Sequence, residues 1–112
     1  MCHFRRAVEV AAQPPCTEIA ASCRPWSQRE AEVYRTLRYF DTMNLAERIT
    51  CPVLMNVGLQ DVICPPSTIF AAFNHLGSTE KVMKVFPYNG HEGYPHHMLD
   101  KLRWARRLVF EA

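Results

Sequence analysis

The most constraining feature of the sequence is a pair of short apolar runs, Pro52 to Gly58 and Lys81 to Phe86, joined by a segment long enough to hold a helix. Val53-Leu54-Met55-Asn56-Val57 is too short for a stable helix. It is β-branched at both ends, as expected of a strand covered on both faces. Pro52 opens it, where a missing amide costs little, and Gly58 is expected to let the chain turn sharply. Pro65-Pro66-Ser67 then reads as a helix start: proline is tolerated in a first turn, and Ser67 or Thr68 can satisfy free amides. Ile69, Phe70, Phe73 and Leu76 form the predicted buried stripe, with Gly77 as the stop. Lys81-Val82-Met83-Lys84-Val85-Phe86 alternates as a strand near a sheet edge does. A strand, a helix and a strand in this order make a parallel pair with a right-handed crossover. In parallel α/β sheets, functional groups gather in the loops beyond the carboxyl ends of the strands. Asp61 follows the first strand and His91, in Asn89-Gly90-His91-Glu92, follows the second.

The flanking segments read as helices. His3 to Ala12 places Phe4, Ala7, Val8 and Ala11 on one side, and Gln13-Pro14-Pro15 ends it. A second short helix is expected from Thr17, interrupted by Arg24-Pro25. Ser27 with Glu30 three residues on is a capping-box pattern, followed by Val33, Leu37 and Phe40 at i, i+4, i+7. Asp41 or Asn44 is expected to cap a turn from Leu45 to Ile49. After a loop from Pro87 to Pro95, a last helix is predicted from His96 to Glu111, with Met98, Leu102, Ala105 and Val109 on one face. The predicted organisation is thus a mainly helical lead-in over residues 1–50, then strand, acid loop, helix, strand, histidine loop and helix over residues 51–112.

Composition excludes several function classes. At 112 residues the chain is one domain at most, and a net charge of +2 is too small to imply nucleic acid. Lys101, Arg103, Arg106 and Arg107 are better explained as complements to a helix C-terminus than as a nucleic-acid patch. Five cysteines without a CxxC pair suggest reduced thiols, not a disulfide framework or a zinc ribbon. No apolar run approaches a membrane span, and the first residues lack the apolar core of a signal peptide, so a cytoplasmic location is expected.

An acid and then a histidine, in that chain order, are the last two members of an α/β-hydrolase triad. Asp61 would accept the Nδ1 proton and fix the tautomer; His91 would be the general base and then the general acid. The competing reading of Asp61 is an ordinary turn residue. The run His91-Glu92-Gly93-Tyr94-Pro95-His96-His97 also invites a metal reading. The zinc-protease motif, however, needs its two histidines at i and i+4 on a helix, where this run has Pro95, and Gly93 and Pro95 oppose a helix. No metal or cofactor is therefore expected. Glu92 reads as a local hydrogen-bonding or surface residue, and His3 and His75 as structural.

The chain resembles the C-terminal third of the acetyl xylan esterase / cephalosporin C deacetylase family of α/β hydrolases. The segments that carry the resemblance are Cys2 to Val8, Tyr34 to Leu37, Tyr39 to Asp41, Pro52 to Gly58, Asp61, Cys64 to Thr68, Phe70 to Ala72 with Asn74, and Asn89 to Glu92. It implies an α/β fold represented here by its C-terminal part, about two parallel strands with several helices in an incomplete sheet. It implies Asp61 as triad acid and His91 as triad base, acting on acetylated xylo-oligosaccharides, and often on cephalosporin C and other small acetates. It also implies a cytoplasmic, typically hexameric enzyme that needs no metal. The family's nucleophile lies in a Gly-Gly-Ser-Gln-Gly-Gly elbow upstream of the matched region. Ser22, Ser27, Ser67 and Ser78 have no such glycine-flanked setting. Ser22-Cys23-Arg24-Pro25-Trp26 departs from the family, where a more apolar helix is expected. The expectation is therefore an acid and base without their nucleophile, inactive alone, with open sheet edges and uncovered apolar surface. A truncated or split gene product, associating with itself or with an N-terminal half, fits that reading. The alternative is a non-catalytic interaction or assembly module.

Overall fold

The computed structural model describes residues 2–93 and 95–110. Helix α1 (Phe4–Val10) and α2 (Cys16–Cys23) are followed by a 3₁₀ segment, Arg24–Arg29, and α3 (Glu30–Leu37). A one-turn α4 (Thr42–Leu45) and a 3₁₀ turn (Ala46–Arg48) lead into β1 (Val53–Gly58). Then come α5 (Pro66–His75), β2 (Lys81–Phe86) and α6 (Pro95–Phe110). β1 and β2 pair in parallel, in register from Val53 opposite Lys81 to Gly58 opposite Phe86. These two strands are the whole sheet among the described residues. Residue Glu111, the expected end of the last helix, lies outside the described residues.

The molecule is long and thin. Its radius of gyration is 16.1 Å and its extents are 54 × 30 × 16 Å, where a compact chain of this length would have a radius near ~13 Å. A 16 Å thickness leaves room for little more than one helix on one sheet. The strands are accordingly half-buried over Val53 to Asn56, with only Val57 and Gly58 fully buried, instead of covered on both faces.

Several local expectations resolve differently. Ser27 does not cap a helix: it sits inside the 3₁₀ segment, whose Trp26 leaves helical geometry (φ −136°, ψ 55°), and α3 begins at Glu30 without a side-chain cap. Phe40 falls beyond α3 and is exposed. At α5 the expected amide capping by Ser67 or Thr68 is absent. Thr68 is buried and its hydroxyl donates to the Pro65 carbonyl at 2.7 Å, while Ser67 Oγ accepts from Arg6 Nε. The buried stripe of α5 is Thr68 and Ala72, with Leu76 just past its end; Ile69, Phe70 and Phe73 are half-buried. Lys81 Nζ donates to the Phe73 and Leu76 carbonyls, each at 3.1 Å, and so satisfies the end of this helix. Gly77 is needed not for a left-handed stop but for close approach, since a Cβ there would lie 2.1 Å from the Glu47 carbonyl oxygen.

The last helix shows the largest difference. Met98, Leu102 and Val109 share a face, as the spacing predicts, but that face is exposed, Val109 by 70%. The side that meets the sheet carries His97, Asp100, Trp104 and Arg107. His97 stands edge-on to Phe86, Lys84 pairs with Asp100 at 3.8 Å, and Arg107 pairs with Glu80. The uncovered apolar surface expected from an incomplete sheet is present here.

Asp41 joins the helical lead-in together. Its buried carboxylate accepts from the backbone N–H of His3 (2.7 Å), Phe4 (2.9 Å) and Met43 (3.0 Å), so it caps α4 and anchors the start of α1. His3, at φ 53°, accepts from Arg6 N–H and caps α1, and His75 Nδ1 bonds the Ala71 carbonyl; both are structural.

Asp41→Ala would leave three amides without their charged acceptor. It should cost about 3 kcal/mol in urea unfolding, given the worth of hydrogen bonds to charged groups. His97 supplies a second expectation. Burial, then the Lys101 charge, pushes its pKa below the ordinary 6.5, and its Nδ1 has no partner. The folded state therefore binds this proton less readily than the unfolded state. Stability is full above the ordinary value and falls as pH drops below about 6.5. His97→Leu should remove that loss, so its advantage over wild type is larger at about pH 5.5 than at about pH 7.5.

Candidate active site

Parallel pairing puts the ends of β1 and β2 side by side, and the pairing continues past the strands. Leu59 N–H donates to the Phe86 carbonyl and Gln60 N–H to the Asn89 carbonyl, both at 3.0 Å. Gly58 makes this approach possible. A Cβ there would lie 2.4 Å from the Asn89 oxygen and 2.5 Å from the Gly90 oxygen, while its φ is not positive. Its role is thus to admit the second loop against the first, not the sharp turn the sequence suggested.

Between the loops, His91 Nδ1 lies 2.9 Å from Asp61 Oδ2. The other oxygen, Oδ1, accepts from the backbone N–H of Ile63 (2.9 Å) and Cys64 (2.7 Å). Asp61 is therefore both the turn residue and the histidine's partner: one oxygen shapes the loop and the other faces the imidazole. An ionised carboxylate only accepts, so Nδ1 carries the proton and Nε2 is left as the basic nitrogen. The Asp61 side chain is 10% exposed and that of His91 51%, which keeps the acid fixed and the ring accessible.

Glu92 is confirmed as a local residue. Its carboxylate accepts from the Asn89 side-chain amide (3.0 Å) and Gly90 N–H (2.8 Å) and closes the histidine loop on itself. Backbone N–H donation, its own first, and then the Asn89 amide hold its carboxyl below the usual value. The run His91-Glu92-Gly93 is not helical, and Pro95 is the first residue of α6, which removes the helical i, i+4 arrangement of a zinc protease. Tyr94 of that run lies outside the described residues.

A cavity of about 200 Å³ opens at the pair, lined by Asn56, Gly58, Asp61, Cys64, Gly90 and His91 among others. None of the four serines lines it. Cys64 does, and its sulfur, an Asp61 oxygen and a His91 nitrogen all lie within 4.8 Å of one another. Burial, then the Asp61 charge, pushes the Cys64 thiol up. The sequence places Cys64 among the reduced thiols and in a resembling segment, not in the site. The available signal was its position three residues after Asp61, which lets its own amide bond that carboxylate. The larger cleft, about 480 Å³, is lined by Arg5, Tyr34, Arg35 and Arg38 with His3 and Asp41. It offers no acid–base pair, because the Asp41 carboxylate and His3 Nδ1 are engaged by backbone amides.

A two-strand parallel unit with an acid and a histidine bonded at its carboxyl edge is of α/β-hydrolase type. Residues 1–108 match the family model described as acetyl xylan esterase (AXE1), and the chain belongs to that family. It is 48% identical to a solved acetyl xylan esterase from Paenibacillus sp. R4 (TM-score 0.87), with 92% of this chain and 33% of that chain covered. It is 38% identical to acetyl xylan esterase 1 from Thermoanaerobacterium sp. JW/SL YS485 (TM-score 0.88), with coverage of 96% and 35%. Among curated proteins it is 33% identical over 78 residues to acetyl esterase Axe7A of Xylanibacter ruminicola, covering 70% of this chain and 18% of that protein. The chain thus spans about a third of the solved relatives and less of the curated one.

Asp61→Asn tests what the carboxylate sets. The amide oxygen can still accept from Ile63 and Cys64, but its NH₂ group forces Nδ1 to accept. The neutral His91 ring should move from the Nδ1–H to the Nε2–H tautomer, read by ring nitrogen chemical shifts. An unchanged tautomer would show that Asp61 does not fix it.

Proposed function

We propose that residues 1–112 form the C-terminal segment of an esterase domain that removes acetyl groups, with Asp61 as the triad acid and His91 as the general base and acid. The observation that carries this is the 2.9 Å bond between the two side chains at the carboxyl edge of a sheet whose chain belongs to the acetyl xylan esterase family. His91 Nε2 takes the proton of a serine hydroxyl as the oxygen attacks the acetyl carbonyl. The same proton goes to the departing sugar oxygen as the C–O ester bond breaks. Water, deprotonated by His91, then attacks the acetyl-serine; the bond from the acyl carbon to the serine oxygen breaks, His91 returns the proton to that oxygen, and acetate leaves. Asp61 stabilises the imidazolium in each half.

The serine belongs to an N-terminal portion outside these 112 residues, since none of the serines present has an elbow sequence or lines the cavity. Acetylated xylo-oligosaccharides are the proposed substrates, with cephalosporin C and other small acetates as further ones, and the proposed location is the cytoplasm. Among the described residues no helix is long and apolar enough to cross a membrane. A second reading, a non-catalytic assembly module, is favoured by the exposed apolar face of α6, including Phe110 at 78%. Under that reading His91→Ala leaves association unchanged.

The chain alone should hydrolyse a chromogenic acetate no faster than its His91→Ala form. Fused behind the N-terminal two-thirds of the Paenibacillus sp. R4 esterase in place of the matching segment, it should restore hydrolysis. Asp61→Ala or His91→Ala in the fusion should then lower kcat by about 10³-fold or more. A soluble, folded fusion with equal rates for all three would refute the assigned roles.

A further inference from the structure

The same edge of the sheet presents a chemistry that acyl transfer does not use. Asp61, Cys64 and His91 bring a carboxylate, a thiol and an imidazole within 4.8 Å of one another, from two separate loops. We propose that these three side chains form a binding site for a thiophilic divalent transition ion of the zinc class, and that the ion competes with the Asp61–His91 hydrogen bond.

Charge and ligand type support this. A thiolate, a carboxylate and a neutral imidazole together cancel a 2+ charge. Sulfur with imidazole selects zinc-like ions over magnesium or calcium, which prefer oxygen alone. Three protein ligands beside an open cavity of about 200 Å³ leave a fourth position for water. The spacing is close to what is needed. In a tetrahedral site with Zn–S of about 2.3 Å and Zn–N or Zn–O of about 2.0–2.2 Å, neighbouring ligand atoms stand about 3.4–3.6 Å apart. A contraction of about an ångström from 4.8 Å is within reach of side-chain rotation, because the His91 ring is half exposed. The Asp61–His91 contact, at 2.9 Å, must instead widen to admit an ion between them, which is the source of the competition. Asp61 enters already oriented, because its Oδ1 is held by the Ile63 and Cys64 amides while Oδ2 is free to exchange a proton donor for a metal. Glu92 is not part of the set, its two oxygens being engaged by Asn89 and Gly90.

Metal binding does not depend on the esterase reading, so it is tested without activity. The full chain is titrated with Co²⁺, whose bond to a thiolate gives a near-ultraviolet charge-transfer band. A saturable band that Zn²⁺ displaces and Mg²⁺ does not is expected. Cys64→Ser should abolish it with the far-ultraviolet circular dichroism unchanged. His91→Ala should weaken Co²⁺ binding at least about tenfold, since even outer partners of metal ligands are worth about 10–100-fold. Cys51→Ser, at an exposed free thiol, should leave the band intact. The absence of a band, its survival in Cys64→Ser, or unchanged affinity in His91→Ala would each overturn the three-ligand site.

Discussion

The structure depends on the parallel pairing of β1 with β2. Register from Val53–Lys81 to Gly58–Phe86 ends both strands at the same level, so the loops that follow leave from one edge. The pairing then runs two residues further, through the bonds of Leu59 to Phe86 and Gln60 to Asn89. That extension needs backbone oxygens where a side chain at residue 58 would sit, and glycine alone leaves the space. The acid and the histidine, thirty positions apart in sequence, meet because of this register.

Asp61 shapes its loop with one oxygen and holds His91 with the other, so under the proposed function one side chain serves both fold and chemistry. Two backbone amides fix one oxygen, which removes the rotational freedom a surface aspartate would otherwise have. The second oxygen is then presented to His91 in a fixed place. Preorganisation of this kind lets a hydrogen bond set a tautomer without waiting for substrate. Asp41 plays a matching structural part in the lead-in, where one buried carboxylate draws the starts of α1 and α4 together.

The rest of the molecule is held more loosely. α6 touches the sheet through His97, Trp104 and two ion pairs, while its apolar stripe faces away. The ion pairs are exposed and contribute little. A helix that packs on a sheet by one side and carries an apolar stripe on the other belongs between two layers, and among the described residues only one layer is present. The chain covers about a third of each solved relative, and the apolar stripe of α6 has no covering layer among the described residues.

The sequence by itself determined the strands, the central helix and the positions of Asp61 and His91, because these signals are local. β2 begins and ends where the alternation from Lys81 to Phe86 does, and β1 ends at Gly58 as expected but begins at Val53, one residue after the expected Pro52. Gly-rich and Pro-rich punctuation marks the two loops. Tertiary structure decided the rest. The apolar pattern of α6 points to the face of Met98, Leu102 and Val109, yet the sheet meets the more polar side of His97, Asp100, Trp104 and Arg107, through ring packing and two ion pairs. The Ser27 capping box lost to a 3₁₀ segment, although its residues fit the motif. Gly58 and Gly77 looked like turn glycines but serve close backbone approaches. Cys64 entered the site because its own amide bonds the acid beside it. The packing face of α6 and the roles of the two glycines depend on which distant surface lies within a few ångströms, and periodicity along a chain carries no record of that distance.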